Sequence, residues 1–464
     1  MDQSSLDRLR EFLAQLAPGT KALLMRECER ALAQGGDAVA DLVLGELRRS
    51  VRGTGNERSR GVDSRRQVFL PLEPFLVDAG AAVSPGRIRR PALEAVWQWL
   101  SQEVLVAPTR DLEAALGEAD GGGAPMAAVA AVRAYRVAAG EAIAAVVAST
   151  AGRDGERLPA RLAVPKVAED LAPIGAVLAA NEALEGFAGR LPGVMTAFGP
   201  AQIGAVLASL DAPLLKTPLV LPFALAAVAG RLASPWQIVR LAIHIAGSDD
   251  EARVAAVPYG VAVTIALDEL ARLCVVLRAD IRRGRFDHVA DHLKAVHDGV
   301  RGLRTELDLR GDSAWGRQLA AIRKDVSGAL QAEIANVPGR ARRLLRPRTD
   351  RDIGPTTRLD PTEVDETAAM IGLVAVCRSY AGELALSEVT QRAFTELQYD
   401  VERATTALVG QLKGAEGRAR AFRQHQVEVA LRFCTPLFGA DFTSLMARAA
   451  ENAGPEPRPA ARAG

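Results

Sequence analysis

The sequence predicts an all-α fold of multi-helix antiparallel bundles with heptad-like packing and little or no strand, and three observations lead there. Apolar residues recur at alternating three- and four-residue steps over long stretches. Helix start signals stand just before those stretches. The breaks between them are only a few residues long, which makes sequence neighbours fold back on each other.

In chain order, residues 1–50 read as an N-terminal helical segment. It opens MDQSSLDRLREFL, with charge ahead of any apolar run, so no secretory signal is visible. Residues 51–66 read as an Arg-rich linker, part of a stretch over 47–66 with seven arginines against Glu57 and Asp63. A central helical bundle is expected over 67–338. Its run from Val68 to Val77 is broken by Pro71 and Pro74, which denies it a place in a central strand. An extended segment, or a helix starting near Pro74, is expected there, packed under a helix from Pro91 to Val106 that carries Trp97 and Trp99. Gly121-Gly122-Gly123 precedes an Ala-rich helix and reads as a hinge, since no Lys-Ser or Lys-Thr follows to make a phosphate loop.

Thr217–Gly230 is a charge-free apolar stretch of 14 residues containing Pro218 and Pro222. A bilayer span needs about 20 apolar residues, so it reads as a buried or interfacial helix. Ser234-Pro235-Trp236-Gln237, Ser248 with Glu251, and Asp360-Pro361-Thr362-Glu363 each read as a helix start. With breaks at Gly284, Gly311 and Pro338, the stretch Val261–Val337 predicts three successive helices. The first has the stripe Leu267, Leu270, Cys274, Leu277 and Ile281. The second has Phe286, Val289, Leu293, Val296, Val300, Leu303 and Leu307, and the third continues from Trp315 through Leu319, Ile322 and Val326 to Leu330, Ile334 and Val337.

Residues 339–359 read as a second Arg-rich linker, with six arginines against Asp350 over 339–351. A C-terminal helical bundle is expected over 360–452. One of its helices carries Met370, Val374, Cys377, Ala381 and Leu384, and another Phe394, Leu397, Val401 and Leu408. The tail 453–464 is expected to be disordered, because from Gly454 it has no apolar residue larger than Ala.

Bulk numbers exclude several functions. The chain has 464 residues and a formal net charge of +1, so no global field attracts nucleic acid. Aromatics are scarce, with 12 Phe, 4 Trp and 4 Tyr. The 51 arginines against 6 lysines accompany abundant Ala and Gly, a bias that GC-rich codons in a bacterial genome produce without functional demand. Neither arginine-rich stretch contains an aromatic residue to stack a base, so no specific nucleic-acid partner is expected. Cys28, Cys274, Cys377 and Cys434 form no C-x-x-C pair and point to a reducing cytoplasm.

The strongest chemical candidate is a metal half-site of His288, Asp291 and His292. His288 and His292 are four apart and project from one side of a helix, the spacing of a two-histidine site for a divalent transition metal. The pair flanks the apolar stripe, and His297 falls on the opposite flank. His425 or His244 is the further ligand such a centre would need, although His244 in its apolar run reads as a core histidine. No H-E-x-x-H or Glu-x-x-His motif accompanies the pair. Gly311-Asp312-Ser313 has the wrong spacing for a serine nucleophile, and Asp312 or Ser313 reads as a helix cap. Asp249, Asp250 and Glu251 sit at a helix start, where the macrodipole favours negative charge.

The expected function is therefore a non-catalytic helical interaction or scaffold protein of a bacterial cytoplasm, needing no cofactor. Its partner is another protein, or a second copy, docked through helix seams. An acidic partner would be drawn to the arginine stretches. Two alternatives stand beside it: a helical metal- or small-molecule-binding enzyme using His288 and His292, and a peripheral protein in weak contact with an anionic membrane through the arginine stretches and residues 217–230.

Overall fold

The computed structural model describes Leu24, Cys28, Val43 and Leu44, then residues 63–78, 84–120, 125–150, 157–384 and 386–453. The expected N-terminal segment, linker residues 51–62, the glycine hinge and the tail from Gly454 lie outside the described residues, apart from those four early positions. Seventeen α-helices and one two-stranded sheet account for the described fold, which is all-α as the periodicity requires. The chain divides into two units, one of residues 1–70 with 97–139 and one of residues 71–96 with 140–464.

The first unit holds α1 (Ser64–Phe69), α3 (Val106–Asp120) and the first half of α4 (Pro125–Thr150). Asp63 caps α1 by accepting from the amide of Arg66, so the last arginines of the first basic stretch are helical. Trp97 stands edge-on to Phe69 and leans on Tyr135, whose hydroxyl meets that of Thr109 at 3.0 Å. Arg136 donates to the carbonyls of Gln67 and Val68.

In the second unit, Leu70–Phe75 is a 3-10 turn, and β1 (Leu76–Val77) pairs in parallel with β2 (Ile88–Arg89). The helix carrying the tryptophans, α2 (Ala92–Trp99), passes into the first unit at Trp97 and ends in a π-turn over Leu100–Val104. Then follow α5 (Pro165–Ala179), α6 (Asn181–Arg190), α7 (Pro200–Ser209), α8 (Leu221–Ala229), α9 (Val239–Ala246) and the short α10 (Glu251–Ala255). Seven of the nine residues of α8 are buried, which places the charge-free apolar stretch in the core. No helix among the described residues is long and apolar enough to cross a membrane.

The long helices complete the unit: α11 (Val261–Arg282), α12 (Phe286–Glu306), α13 (Ala314–Leu345), α14 (Pro361–Tyr380), α15 (Ser387–Leu412), α16 (Gly417–Phe438) and α17 (Ala440–Asn452). Gly284 turns the chain between α11 and α12 at φ 69°, and the two run antiparallel, with Asp280 beside Arg285 at the turn and Leu270 against Gly299 further along. All seven stripe residues of α12 are buried, as are Leu319 through Val337 of α13. Ile281 and Trp315 are half-buried, and the Trp315 ring nitrogen donates to Thr264. The heptad-like seams are filled from within the chain: α13 packs on α15, α15 on α16, and α12 on α14.

Three local expectations are corrected. Pro338 does not end α13, which continues to Leu345 because Ala341, Leu344 and Leu345 are buried and hold it. The helix after Ser248 is capped by Asp250, which accepts from the amide of Arg253, while Ser248 supports that turn. Ser234 has no capping bond, and Pro235–Ile238 forms a 3-10 turn leading into α9. Asp360 and Ser313 do cap α14 and α13.

Candidate functional site

His288, Asp291 and His292 all lie on the first turns of α12. His288 and Asp291 are exposed, whereas His292 leans toward the last turn of α11. Its Nδ1 is 3.3 Å from Oδ2 of Asp280, at an angle that leaves the nitrogen without a hydrogen bond. Asp280 is itself buried and pairs with Arg285 at 2.7 Å. His292 thus faces a carboxylate already engaged by a guanidinium. His244 is exposed on α9 and is not a core histidine; it sits in the last turn, where the stripe has rotated to solvent. His425 is exposed on α16, 3.4 Å from Glu428. The buried histidine is His297, stacked 4.5 Å from the Tyr380 ring with Nδ1 3.1 Å from Asp298. Among the described residues, no group of three or more His, Cys, Asp or Glu is placed to hold a metal ion.

The second arginine stretch is split in two by the fold. Its first half forms the last turns of α13, where apolar residues face inward and the arginines reach neighbouring helices. Arg340 pairs with Glu366 of α14 at 3.2 Å, Arg343 pairs with Glu363, and Arg342 pairs with Glu396 and Asp400 of α15 at 2.8 and 3.2 Å. These charges are consumed by helix packing, so this part is no spacer.

Beyond Leu345 the arginines behave differently. Gln426 of α16 is 1% exposed and donates Nε2 to the carbonyls of Leu344 and Arg346, satisfying the end of α13. Arg423 donates to the carbonyl of Gln411 and holds Asp350 at 2.5 Å, which fixes the connecting loop against α16. Thr349 donates its hydroxyl and amide to Asp352 and holds that carboxyl below the usual aspartate range, with Arg346 and Arg348 adding to the effect. The loop is a built wall rather than a tether.

That wall and α16 enclose a cavity of about 370 Å³. Its lining is apolar at Ile353, Pro355, Leu359, Pro361, Ala421 and Phe422 and polar at Thr357, Arg358, Arg418 and His425. Phe422 is 7% exposed, and Arg348 lies over its ring at 5.3 Å. Arg346, Arg348, Arg351, Arg358 and Arg418 are exposed, and among the described residues none forms an ion pair. The nearby carboxylates are occupied: Asp350 by Arg423, Asp352 by Thr349, and Asp360 by the start of α14. A concave surface with apolar lining residues and exposed arginines attracts an anionic group and can desolvate an apolar one.

Sequence reasoning flagged the arginines of 339–351 but missed Arg358, Arg418 and Phe422. The sequence signal was the Arg-Pro-Arg-Thr-Asp-Arg run itself, whose partner wall lies about seventy residues further on. No family model, no curated protein and no solved structure matches the chain.

Proposed function

We propose that this chain is a non-catalytic interaction protein that docks an acidic segment of a protein partner on the arginine corner formed by the α13–α14 loop and the first half of α16. One observation carries the reading: Arg358 and Arg418, exposed and without an ion-pair partner among the described residues, line a cavity whose Phe422 is covered by a third such arginine, Arg348, in a chain whose formal charge nearly balances. Several arginines of the long helices, Arg278, Arg304, Arg340 and Arg432 among them, pair with acids of neighbouring elements. A charge left unmatched in such a chain is available to a partner, where it contributes steering and specificity. The helix seams are occupied by intrachain packing, which favours the corner as the docking face over the seams. Four unpaired, buried cysteines support a reducing cytoplasm as its compartment.

Photo-crosslinking in the cells that make the protein tests this. A photoreactive residue placed at Arg418 is expected to capture a specific protein through a segment rich in Asp and Glu, and one placed at Arg110 of α3 is expected not to. Equal capture from both positions, or capture through a segment without acidic residues, contradicts the reading.

A further inference from the structure

The composition of the cavity says more about the partner than its charge does. We infer that the corner recognises a short linear segment in which one large apolar side chain, flanked by acidic residues, enters the cavity between Phe422 and the 353–359 wall. This rests on the acidic-partner reading above and narrows it.

Ring, proline and aliphatic carbon of Ile353, Pro355, Leu359, Pro361, Ala421 and Phe422 make up much of the lining, and they offer an acidic side chain nothing to bond. Several of the loop amides that could cradle a phosphate are spent within the loop. Asp352 donates to the carbonyl of Thr349, Ile353 to Asp350, Thr357 to Gly354, and the amide of Gly354 to the hydroxyl of Thr357. A naked anion therefore finds the charge of Arg358 and Arg418 but a loop several of whose amides are already committed. An apolar side chain finds the carbon surface of Ile353, Pro355, Leu359 and Phe422 and gains by leaving water. The guanidiniums of Arg358 and Arg418 line the opening, placed for carboxylates on either side of such an anchor, and Arg is suited to gripping carboxylate in a two-pronged fork. A cavity of about 370 Å³ is at the small end of ligand sites, in keeping with one anchor residue and not a folded element. The concave shape and enclosed floor also favour a peptide over a membrane surface, which would need apolar side chains that protrude.

The test uses the full-length protein and two labelled peptides read by fluorescence anisotropy, a 12-residue peptide of Glu, Asp and Ser with one central Leu and the same peptide with Ser at the centre, with vesicles rich in phosphatidylserine as unlabelled competitor. The Leu peptide is expected to bind about tenfold or more tightly than the Ser peptide, from the area its side chain buries. Ala421→Trp fills the floor from an exposed helical position and is expected to erase that difference while leaving the weaker charge-driven binding. Equal affinity for the two peptides overturns this inference but leaves the acidic-partner reading standing. No binding of either peptide overturns both. Vesicles that displace the Leu peptide at low lipid concentration, and lose that ability in Ala421→Trp, assign the corner to a membrane and overturn both as well.

Discussion

Arg348 lies over the ring of Phe422 with its guanidinium carbon 5.3 Å from the ring centroid, so a residue of the α13–α14 loop is stacked on the face of α16 that floors the cavity. The contact orients an exposed arginine beside the cavity and covers part of an otherwise buried aromatic ring.

An exposed cation–π contact is worth about 0.5–1 kcal/mol. Arg348→Ala is expected to lower stability by that amount in urea denaturation, and Arg348→Met, which keeps the stem packed on the ring, by less. A loss of several kcal/mol would show that the loop depends on Arg348 for its fold.

Arg89 of β2 and Asp170 of α5 form the most buried ion pair among the described residues, with side chains 6% and 2% exposed. Asp170 accepts from Nε of Arg89 at 2.8 Å and from its backbone amide at 3.2 Å, while the guanidinium also reaches Glu169 and the carbonyl of Lys166. Removing Asp170 leaves a buried guanidinium half satisfied, which costs about 3–5 kcal/mol. Asp170→Ala is expected to shift the urea midpoint strongly, whereas Glu169→Ala, at a half-exposed carboxylate, is expected to cost about 0–1 kcal/mol.

Two glycines in helices are expected to respond in opposite directions to alanine. At Gly302 of α12 a Cβ would stand 2.5 Å from the Trp236 ring, so Gly302→Ala should destabilise by about 1–3 kcal/mol through overpacking. At Gly328 of α13 nothing lies within 4 Å, and Gly328→Ala should stabilise by about 0.5–1 kcal/mol through helix propensity alone. Thermal melts of the two variants check both signs.

Burial pushes the Cys377 thiol up to about 12 and that of Cys274 to about 11, and it raises Cys434 as well. The thiolate is the reactive form, so raising the pH from 7 to 9 should not expose these groups to attack. Ellman's reagent at pH 8 is expected to find no fast-reacting thiol in the native protein and four after unfolding in guanidinium, since Cys28 is also buried. A rapidly titrating thiol in the native protein would contradict the packing around it.

Most of the helical core was legible because burial follows periodicity. Every stripe residue of α12 from Phe286 to Leu307, and all five from Met370 to Leu384, face inward. The α13 terminus was misread for a physical reason: arginine density looks like solvent exposure, yet Ala341, Leu344 and Leu345 carry the core stripe past Pro338 while Arg340, Arg342 and Arg343 answer acids on α14 and α15. Such pairing depends on which helices become neighbours, and no local pattern contains it. The same holds for the cavity, whose walls at Arg358 and Arg418 meet only after α14 and α15 have packed. The His288–His292 spacing was legible too, but the placement of His292 beside Asp280 follows from the tight turn at Gly284.

The central claim is that the corner binds an acidic segment through its unpaired arginines, and titration of full-length protein with an acidic Leu-centred 12-residue peptide tests it most directly. At about 50 mM salt the wild type is expected to bind the peptide, with affinity falling as salt screens the rim. The Arg358→Glu, Arg418→Glu double variant, reversed at two exposed positions, is expected to bind at least about tenfold more weakly while melting at the wild-type temperature. Unchanged affinity in that variant, or binding indifferent to salt, would contradict the account.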